Sequence, residues 1–350
     1  MIKNIKIGQR EIGPNQPVYI IAELSANHRQ QYDEAVKLIR AAKEAGVDAV
    51  KLQTYTADTM TINSDRPEFK IGGGTLWDGR TLYDLYGEAY TPWDWQPKLK
   101  QVADELSIDL FSTPFDKTAV DFLETMNVPA YKIASLEIVD IPLIEYIAAK
   151  SKPIIMSTGT ATLEEIKEAV KTVKKAGGTQ LALLKCTSAY PAPPEEMNLR
   201  TIPHLAATFK VPVGISDHSL SVSIPAAAVA LGACLVEKHF TLSRSLPGPD
   251  SSFSLEPHEF KAMVNAVRTA EKALGKISYE TLGEESKSLV YRRSLYVVKD
   301  IEAGDLFTEE NIRSIRPGNG LHPRYFNKVL GRKASREIQR GTPLNRDMIG

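Results

Sequence analysis

Two histidines and two lysines occupy comparable places in this 350-residue chain. His218 closes the apolar run Val213 to His218, and His239 lies in a second, Cys234 to Phe240. Lys51 stands in KLQ and Lys132 in YKI, each within another short apolar run. Paired imidazoles with open positions suit Mn2+, Fe2+, Co2+ or Zn2+ better than Mg2+, which prefers oxygen and water. Two such ligands alone make a weak, exchangeable site. An enclosed ammonium is costly unless it meets an anion, so Lys51 and Lys132 point to a phosphate or carboxylate ligand, or to internal pairs with Glu23 or Glu137. Both can hold in turn, the carboxylates sharing the lysines until substrate arrives.

These groups converge only if the runs that carry them are neighbours. After a hairpin-like opening, KIGQREIGPNQP, short apolar runs alternate with segments of helical period, the pattern of βα units around a parallel sheet. The runs are Val18 to Glu23, Ala49 to Gln53, Asp109 to Thr113, Ala130 to Ser135, Pro153 to Thr158, Leu181 to Thr187, Val213 to His218 and Cys234 to Phe240. Eight strands over about 240 residues match a (β/α)8 TIM barrel, whose catalytic groups sit at the carboxyl ends of the strands. Those ends supply, in order, Glu23; Lys51 and Gln53; Ser112 and Thr113; Lys132, Ser135 and then Glu137; Ser157 and Thr158; Lys185, Thr187 and Ser188; Ser216, Asp217 and His218; Glu237, Lys238 and His239. Any single Ser or Thr among them serves equally well as a helix cap. Strands seven and eight lie about 4.8 Å apart, so His218 and His239 can reach one point. His28, His204, His258 and His322 have no such placement and read as surface or packing residues.

The intervening helices are scaffold. In YDEAVKLIRAAKEAG the residues Ala35, Leu38, Ile39 and Ala42 form one stripe and Gly46 supplies a stop, while Thr162 and Glu165 form a capping box before IKEAVKTVKKAGG. One connection, Thr54 to Trp95, is long and contains IGGGTLWDGR and TLYDLYGEAY. Such βα loops cover barrel mouths, and Gly72 to Gly74 neither follow a strand nor open a helix, so the loop reads as a lid rather than a phosphate loop. The proline-stiffened SLPGPDSSF would hold Asp250 over the mouth, where its carboxylate could accept hydrogen bonds from a polyol; a plain turn is the alternative.

Past Gly275 the βα rhythm stops. The reading is a barrel with its hairpin at 1–280, a linker at 281–290 and a small, mostly β domain at 291–350, in which DIEAGDLFTEENI and EIQRGTPLNRDMI align with Ile, Gly and Ile at equal spacing. Equal numbers of acidic and basic residues, 43 each, argue against a general field for nucleic acid or anionic lipid. Cys186 and Cys234 read as buried free thiols of a reducing compartment. With neither a signal-like start nor a span of about 20 apolar residues, the expected location is the cytoplasm, away from membranes.

In order, AELSANH, KLQ, FSTPFD, YKIASLE, MSTGTAT, KCTSAYPAP, ISDHS, EKHFTL and PGPDSSFSL resemble the sialic acid synthase family, which condenses phosphoenolpyruvate with an amino sugar. The resemblance covers essentially the whole chain, and IRPGNGL belongs to a stretch similar to the small antifreeze-like (SAF) domain of these synthases. It implies phosphoenolpyruvate contacts from Lys51, Thr113, Lys132, Ser135, Ser157 and Ser216, with Gln53 and Ser188 also binding substrate, and a divalent metal on His218 and His239, manganese first and magnesium or cobalt as alternatives. Glu23, Tyr190 and Asp250 would face an N-acylated amino sugar. Glu137 would be the acid or base, with Glu23 as its rival. Arg316 would reach from the SAF domain into the partner's site in a swapped homodimer. TLWDGRTLYDLYGEAYTPWDW, YKIASLEIVDIPLI and CTSAYPAP look more like the branch making pseudaminic acid than that making N-acetylneuraminate, in which Asn takes the place of Ser188. Spore coat polysaccharide synthases are also similar.

Two rival classes are open to the residues alone. A pyruvate aldolase would use Lys132 or Lys185 as a Schiff base. A non-catalytic saccharide- or ice-binding protein would have no reason to place Lys, Glu and His at so many strand ends.

Overall fold

The structure, a computed structural model, describes residues 2–350 and divides into two compact units, Met1–Gly275 and Lys276–Gly350. In the first, an antiparallel hairpin of β1 (Ile5–Ile7) and β2 (Arg10–Ile12) precedes eight parallel strands. These are β3 (Tyr19–Glu23), β4 (Ala49–Thr54), β5 (Asp109–Pro114), β6 (Tyr131–Ile133), β7 (Ile154–Ser157), β8 (Leu181–Cys186), β9 (Val213–Asp217) and β10 (Leu235–His239). They follow one another around a closed barrel, with β10 pairing back onto β3. Each matches a run expected from the sequence, so the (β/α)8 fold class holds. Strands enclosed by side chains within and helices without read as continuous apolar runs; β3, β6, β7, β9 and β10 are buried at every residue.

The hairpin settles which end of the barrel is open. Arg10 pairs with Asp48 at 2.5 Å, the Lys6 amide donates to the Gln180 side chain at 2.8 Å, and a Cβ on Gly8 would lie 2.5 Å from Asp109. Asp48, Asp109 and Gln180 all stand at strand beginnings, so β1 and β2 cap the amino-terminal end. The carboxyl end is left as the mouth.

The helices behave as their sequences require. Tyr32–Ala45 buries Ala35, Leu38, Ile39 and Ala42 and stops where Gly46 takes φ 94°, a left-handed value that favours glycine. Leu163–Lys175 opens on the reciprocal Thr162–Glu165 box and buries Ile166, Ala169, Val170 and Val173. A cap of this kind contributes about 1 kcal/mol. The long connection after β4 is ordered by its own short elements, among them the helices Ala57–Met60 and Leu82–Ala89 and a bridge between Lys70 and Thr81.

The second unit carries an antiparallel pair, β11 (Ser294–Val297) and β12 (Ile312–Ile315), over a core that includes Leu295, Val297, Ile301, Phe307, Ile338 and Leu344. The duplicated segments meet as equals. Ile301 and Ile338 exchange backbone hydrogen bonds at 3.0 and 2.8 Å, and the matched glycines Gly304 and Gly341 take φ of 90° and 89°. Ahead of this pair, Gly283–Tyr291 forms exposed 3-10 turns where the sequence reading has a linker. Among the described residues no helix is long and apolar enough to cross a membrane.

Candidate active site

Strand register places the chemistry before any side chain is considered. Glu23 pairs with Lys51 on one side and His239 on the other, and Ser216 stands opposite both Cys186 and Glu237. The barrel pleat turns alternate residues inward, so Lys51 and Gln53, Ser216 and His218, Glu237 and His239, and Cys186 and Ser188 all face the mouth. They line a cavity of about 450 Å3 together with Lys132, Ser135, Glu137, Ser157, Tyr190 and Asp250.

The same alternation thins the polar ring expected from the strand ends. Asp217 and Lys238 point the other way and form a fully buried pair at 2.6 Å, the Lys238 ammonium also donating to the Ser219 carbonyl at 2.5 Å. Lys185 donates to the Cys186 carbonyl at 2.6 Å and to the Thr187 hydroxyl at 3.1 Å, away from the cavity, which removes it as a Schiff-base candidate. Ser112 bonds to Thr54 at 2.6 Å outside the barrel. Thr113 faces inward below the cavity, where its hydroxyl accepts from Lys51 at 3.3 Å. Arg316 belongs to the other unit, directly after β12.

The cationic floor is internally neutralised. Lys51 contacts Glu23 and lies 3.9 Å from Glu237, while Lys132 is 3.5 Å from Glu237 rather than paired with Glu137. Burial disfavours the Lys51 charge, but Glu23 and Glu237 more than restore it and its pKa is raised; Lys132, less well partnered, is lowered by burial. Burial pushes Glu23 up to about 7 against the pull of Lys51, and Glu237 adds to the rise. Glu137, on a 3-10 turn after β6, is likewise pushed up to about 7 by burial. Three polar atoms aimed at this region, Ser157 Oγ, Glu137 Oε2 and a Glu237 carboxylate oxygen, have no hydrogen-bond partner. Unpartnered groups of this kind cost about 1 to 3 kcal/mol each, a cost a polar ligand removes.

Ser135 and Ser188 are brought together by a glycine that sequence reasoning passed over. The Gly159 amide donates to Ser135 Oγ at 3.1 Å, and a Cβ there would stand 2.3 Å from Ser188 Oγ and 2.7 Å from Ser135 Oγ. Cys186 was passed over too: read only as a buried free thiol, it lines the cavity 3.9 Å from His218 Nδ1. Burial raises its pKa, but the neighbouring imidazole outweighs this and brings the thiol down to about 7.

The imidazoles of His218 and His239 lie 5.3 Å apart between centroids, with Tyr190 stacked on His218 at 4.3 Å and Phe253 edge-on to His239 at 5.0 Å. His218 Nδ1 sits 2.9 Å from the Thr187 carbonyl and must carry a proton, so Nε2 offers the lone pair. Burial holds His239 well below the usual imidazole range, hence neutral, and its Nδ1 has no partner. Burial lowers the His218 pKa, but Cys186 and the Thr187 carbonyl outweigh it and raise it, so the pair in its aromatic collar fits a divalent cation once His218 gives up its Nε2 proton. Among the described residues no group of three or more His, Cys, Asp or Glu gathers around one, so water and substrate oxygens would complete the shell. Asp250 accepts from Ser25 Oγ and, at 3.4 Å, from the Ala26 amide, and Gln53 Nε2 links Ser25 (3.0 Å) to Glu23 (3.2 Å). His28, with its ring nitrogens at 3.1 Å from Thr91 Oγ1 and the Gln30 amide, is a packing residue as expected.

A barrel whose carboxyl end presents buried lysines, serine hydroxyls and paired imidazoles is suited to a small anionic substrate. The chain belongs to the NeuB family, whose model matches residues 38–279, and a SAF domain matches residues 292–350. It is 48% identical to pseudaminic acid synthase of Campylobacter jejuni (strain 81-176) over 94% of this chain and 96% of that one, and 45% identical to pseudaminic acid synthase of Helicobacter pylori (strain 26695) over 95% and 98%. Among solved structures it is similar to the N-acetylneuraminic acid (sialic acid) synthetase of Leptospira borgpetersenii in complex with citrate, with a TM-score of 0.74 and 34% identity over 83% of this chain and 97% of that one.

Proposed function

We propose that this chain is a pseudaminic acid synthase: it condenses phosphoenolpyruvate with 2,4-diacetamido-2,4,6-trideoxy-L-altrose and water to give pseudaminic acid and phosphate. The observation that carries the reading is the pairing, in one cavity, of a lysine floor lined by serine hydroxyls and an imidazole pair beside it. The pseudaminic acid synthases at 45% to 48% identity support the choice of sugar.

Lys51 and Lys132 hold the anionic reactant, and the hydroxyls of Thr113, Ser135, Ser157 and Ser216 orient it, so that C3 of phosphoenolpyruvate faces the sugar aldehyde. Glu23, Tyr190, Asp250 and Gln53 orient the sugar, and Ser188, beside Ser135 at Gly159, contacts substrate at the anion end. His218 and His239 would hold a divalent metal, manganese first and magnesium or cobalt as alternatives. When bound it supplies Lewis-acid polarisation of the aldehyde oxygen. The C3–C1 bond forms as the aldehyde oxygen takes up a proton from solvent water, and positive charge develops at C2. Water adds there, its proton passing to Glu137 or, second in line, Glu23. The tetrahedral adduct then breaks its C2–O bond and phosphate leaves, its charge stabilised by the two lysines. Arg316 contacts the sugar's acyl group from the partner chain of a swapped homodimer working in the cytoplasm.

Phosphate release from phosphoenolpyruvate tests this, with the diacetamido sugar and N-acetylmannosamine offered separately, each with and without chelator. Turnover should follow the first sugar, stop on chelation and return with Mn2+. Activity confined to N-acetylmannosamine overturns the sugar, and full activity after chelation overturns the metal. Borohydride trapping with pyruvate should label nothing; labelling of Lys132 would move the protein to the aldolases.

A further inference from the structure

The cavity has two chemically different faces. Its floor, built by the strand ends, carries Lys51, Lys132, Ser157, Ser216 and Glu237; its ceiling, built by the long connection after β4, presents Met60, Ile71, Trp77, Leu82 and Leu85. Two polar groups of that ceiling are already engaged. Trp77 Nε1 donates to the Pro249 carbonyl at 2.9 Å, and the Thr75 hydroxyl donates to Asp78 at 2.7 Å. Tyr86, on the same helix as Leu82 and Leu85, packs edge-on to Tyr55 at 5.7 Å, and burial and then the charge of Glu137 raise its pKa. Trp77 also packs edge-on to Tyr190 (5.9 Å) and Phe253 (6.4 Å), which fixes the ceiling above the collar of the two histidines.

We infer that this apolar ceiling selects the sugar by its far end: Ile71, Trp77, Leu82 and Leu85 receive a terminal methyl and reject a terminal hydroxymethyl. The inference rests on the condensation proposed above. The reacting aldehyde must lie on the floor, between the anion site and the imidazoles, so the opposite end of an open-chain hexose rises to the ceiling. A CH3 at C6 meets only apolar atoms there. A CH2OH in its place buries a hydroxyl against these side chains, where the indole N–H and the Thr75 hydroxyl are already spent within the protein. The apolar residues are therefore a specificity device for 6-deoxy acceptors: Leu85 is buried, and half-buried Ile71, Trp77 and Leu82 line the cavity beside it.

The test compares kcat/KM for 2,4-diacetamido-2,4,6-trideoxy-L-altrose with that for its 6-hydroxy counterpart. The wild-type enzyme should prefer the deoxy sugar by about 10- to 100-fold, the range an apolar pocket reaches against one hydroxyl. Leu82→Asn, which keeps the side chain's branched shape, should lower that preference about tenfold while leaving the KM for phosphoenolpyruvate unchanged. Ile71→Thr is a second variant at a position held by backbone bonds to Arg80 and Gly79, so its fold does not depend on the side chain. A preference unchanged in both variants, or an equal loss for the two sugars, overturns the ceiling while leaving the condensation intact. A wild-type enzyme that turns over neither diacetamido sugar overturns the condensation, and the inference falls with it.

Discussion

Glu137 shows how one residue can couple chemistry to stability. Its carboxyl is largely buried and pushed up to about 7 from an ordinary 4.5. A carboxyl raised in the folded state favours folding while protonated in the fold. That contribution is fully present below about pH 4.5 and is lost as the pH rises through about 7. Ionised Glu137 therefore burdens the fold at pH 8 by on the order of 3 kcal/mol. Glu137→Gln should melt above the wild type at pH 8 and level with it near pH 4.5. In the forward reaction the same group accepts a proton from the attacking water, so wild-type kcat should rise with pH through about 7, and the variant should lose both the rise and most of its rate, about 100-fold or more. Scanning calorimetry at the two pH values and a kcat profile read these effects; a melting difference that does not change with pH would place the carboxyl in water.

At the scale of elements, the junctions after the strands decide the site. Gly159 lies between β7 and the helix Leu163–Lys175 and lets the hydroxyls of Ser135 and Ser188 close over one spot. Gly159→Ala should raise the KM for phosphoenolpyruvate at least tenfold and that for the sugar far less, because the added methyl displaces anion-facing hydroxyls rather than core atoms. Equal increases would mean the glycine serves the junction's folding and not the anion. The eight strands, the Thr162 cap and the Gly46 stop were legible because periodicity and capping chemistry are local properties of sequence. Which strand-end residues enter the mouth was only half legible. Asp217, Lys238 and Lys185 stand as near the strand ends as His218, His239 and Ser188, and only the phase of the pleat separates the two groups. Gly159 and the cavity-facing Cys186 were illegible for a related reason, since each acts through atoms on neighbouring strands that no spacing rule connects. The ceiling could be anticipated as a cover by its length, but not as an apolar surface.

At the scale of the whole molecule, the internal duplication of the C-terminal unit was readable from equal spacing and emerges as reciprocal Ile301–Ile338 bonds with matched left-handed glycines. No spacing within one chain, however, states whose barrel that unit serves. The proposed swapped homodimer makes a sharp demand here. Lys132→Ala removes the anion floor of the barrel that carries it, and Arg316→Ala removes the acyl contact of whichever barrel the C-terminal unit serves; each variant alone should be nearly inactive at low sugar concentration. Unfolded together and refolded as an equal mixture, they pair at random, and half of the dimers hold one chain of each kind. If Arg316 acts on the partner, every mixed dimer has one doubly defective site and one intact site, so activity should recover to about a quarter of the wild-type value. If Arg316 acts within its own chain, every site in the mixture keeps one defect and no activity returns. Recovery must also vanish when the two variants are placed on the same chain, since no pairing of such chains yields an intact site.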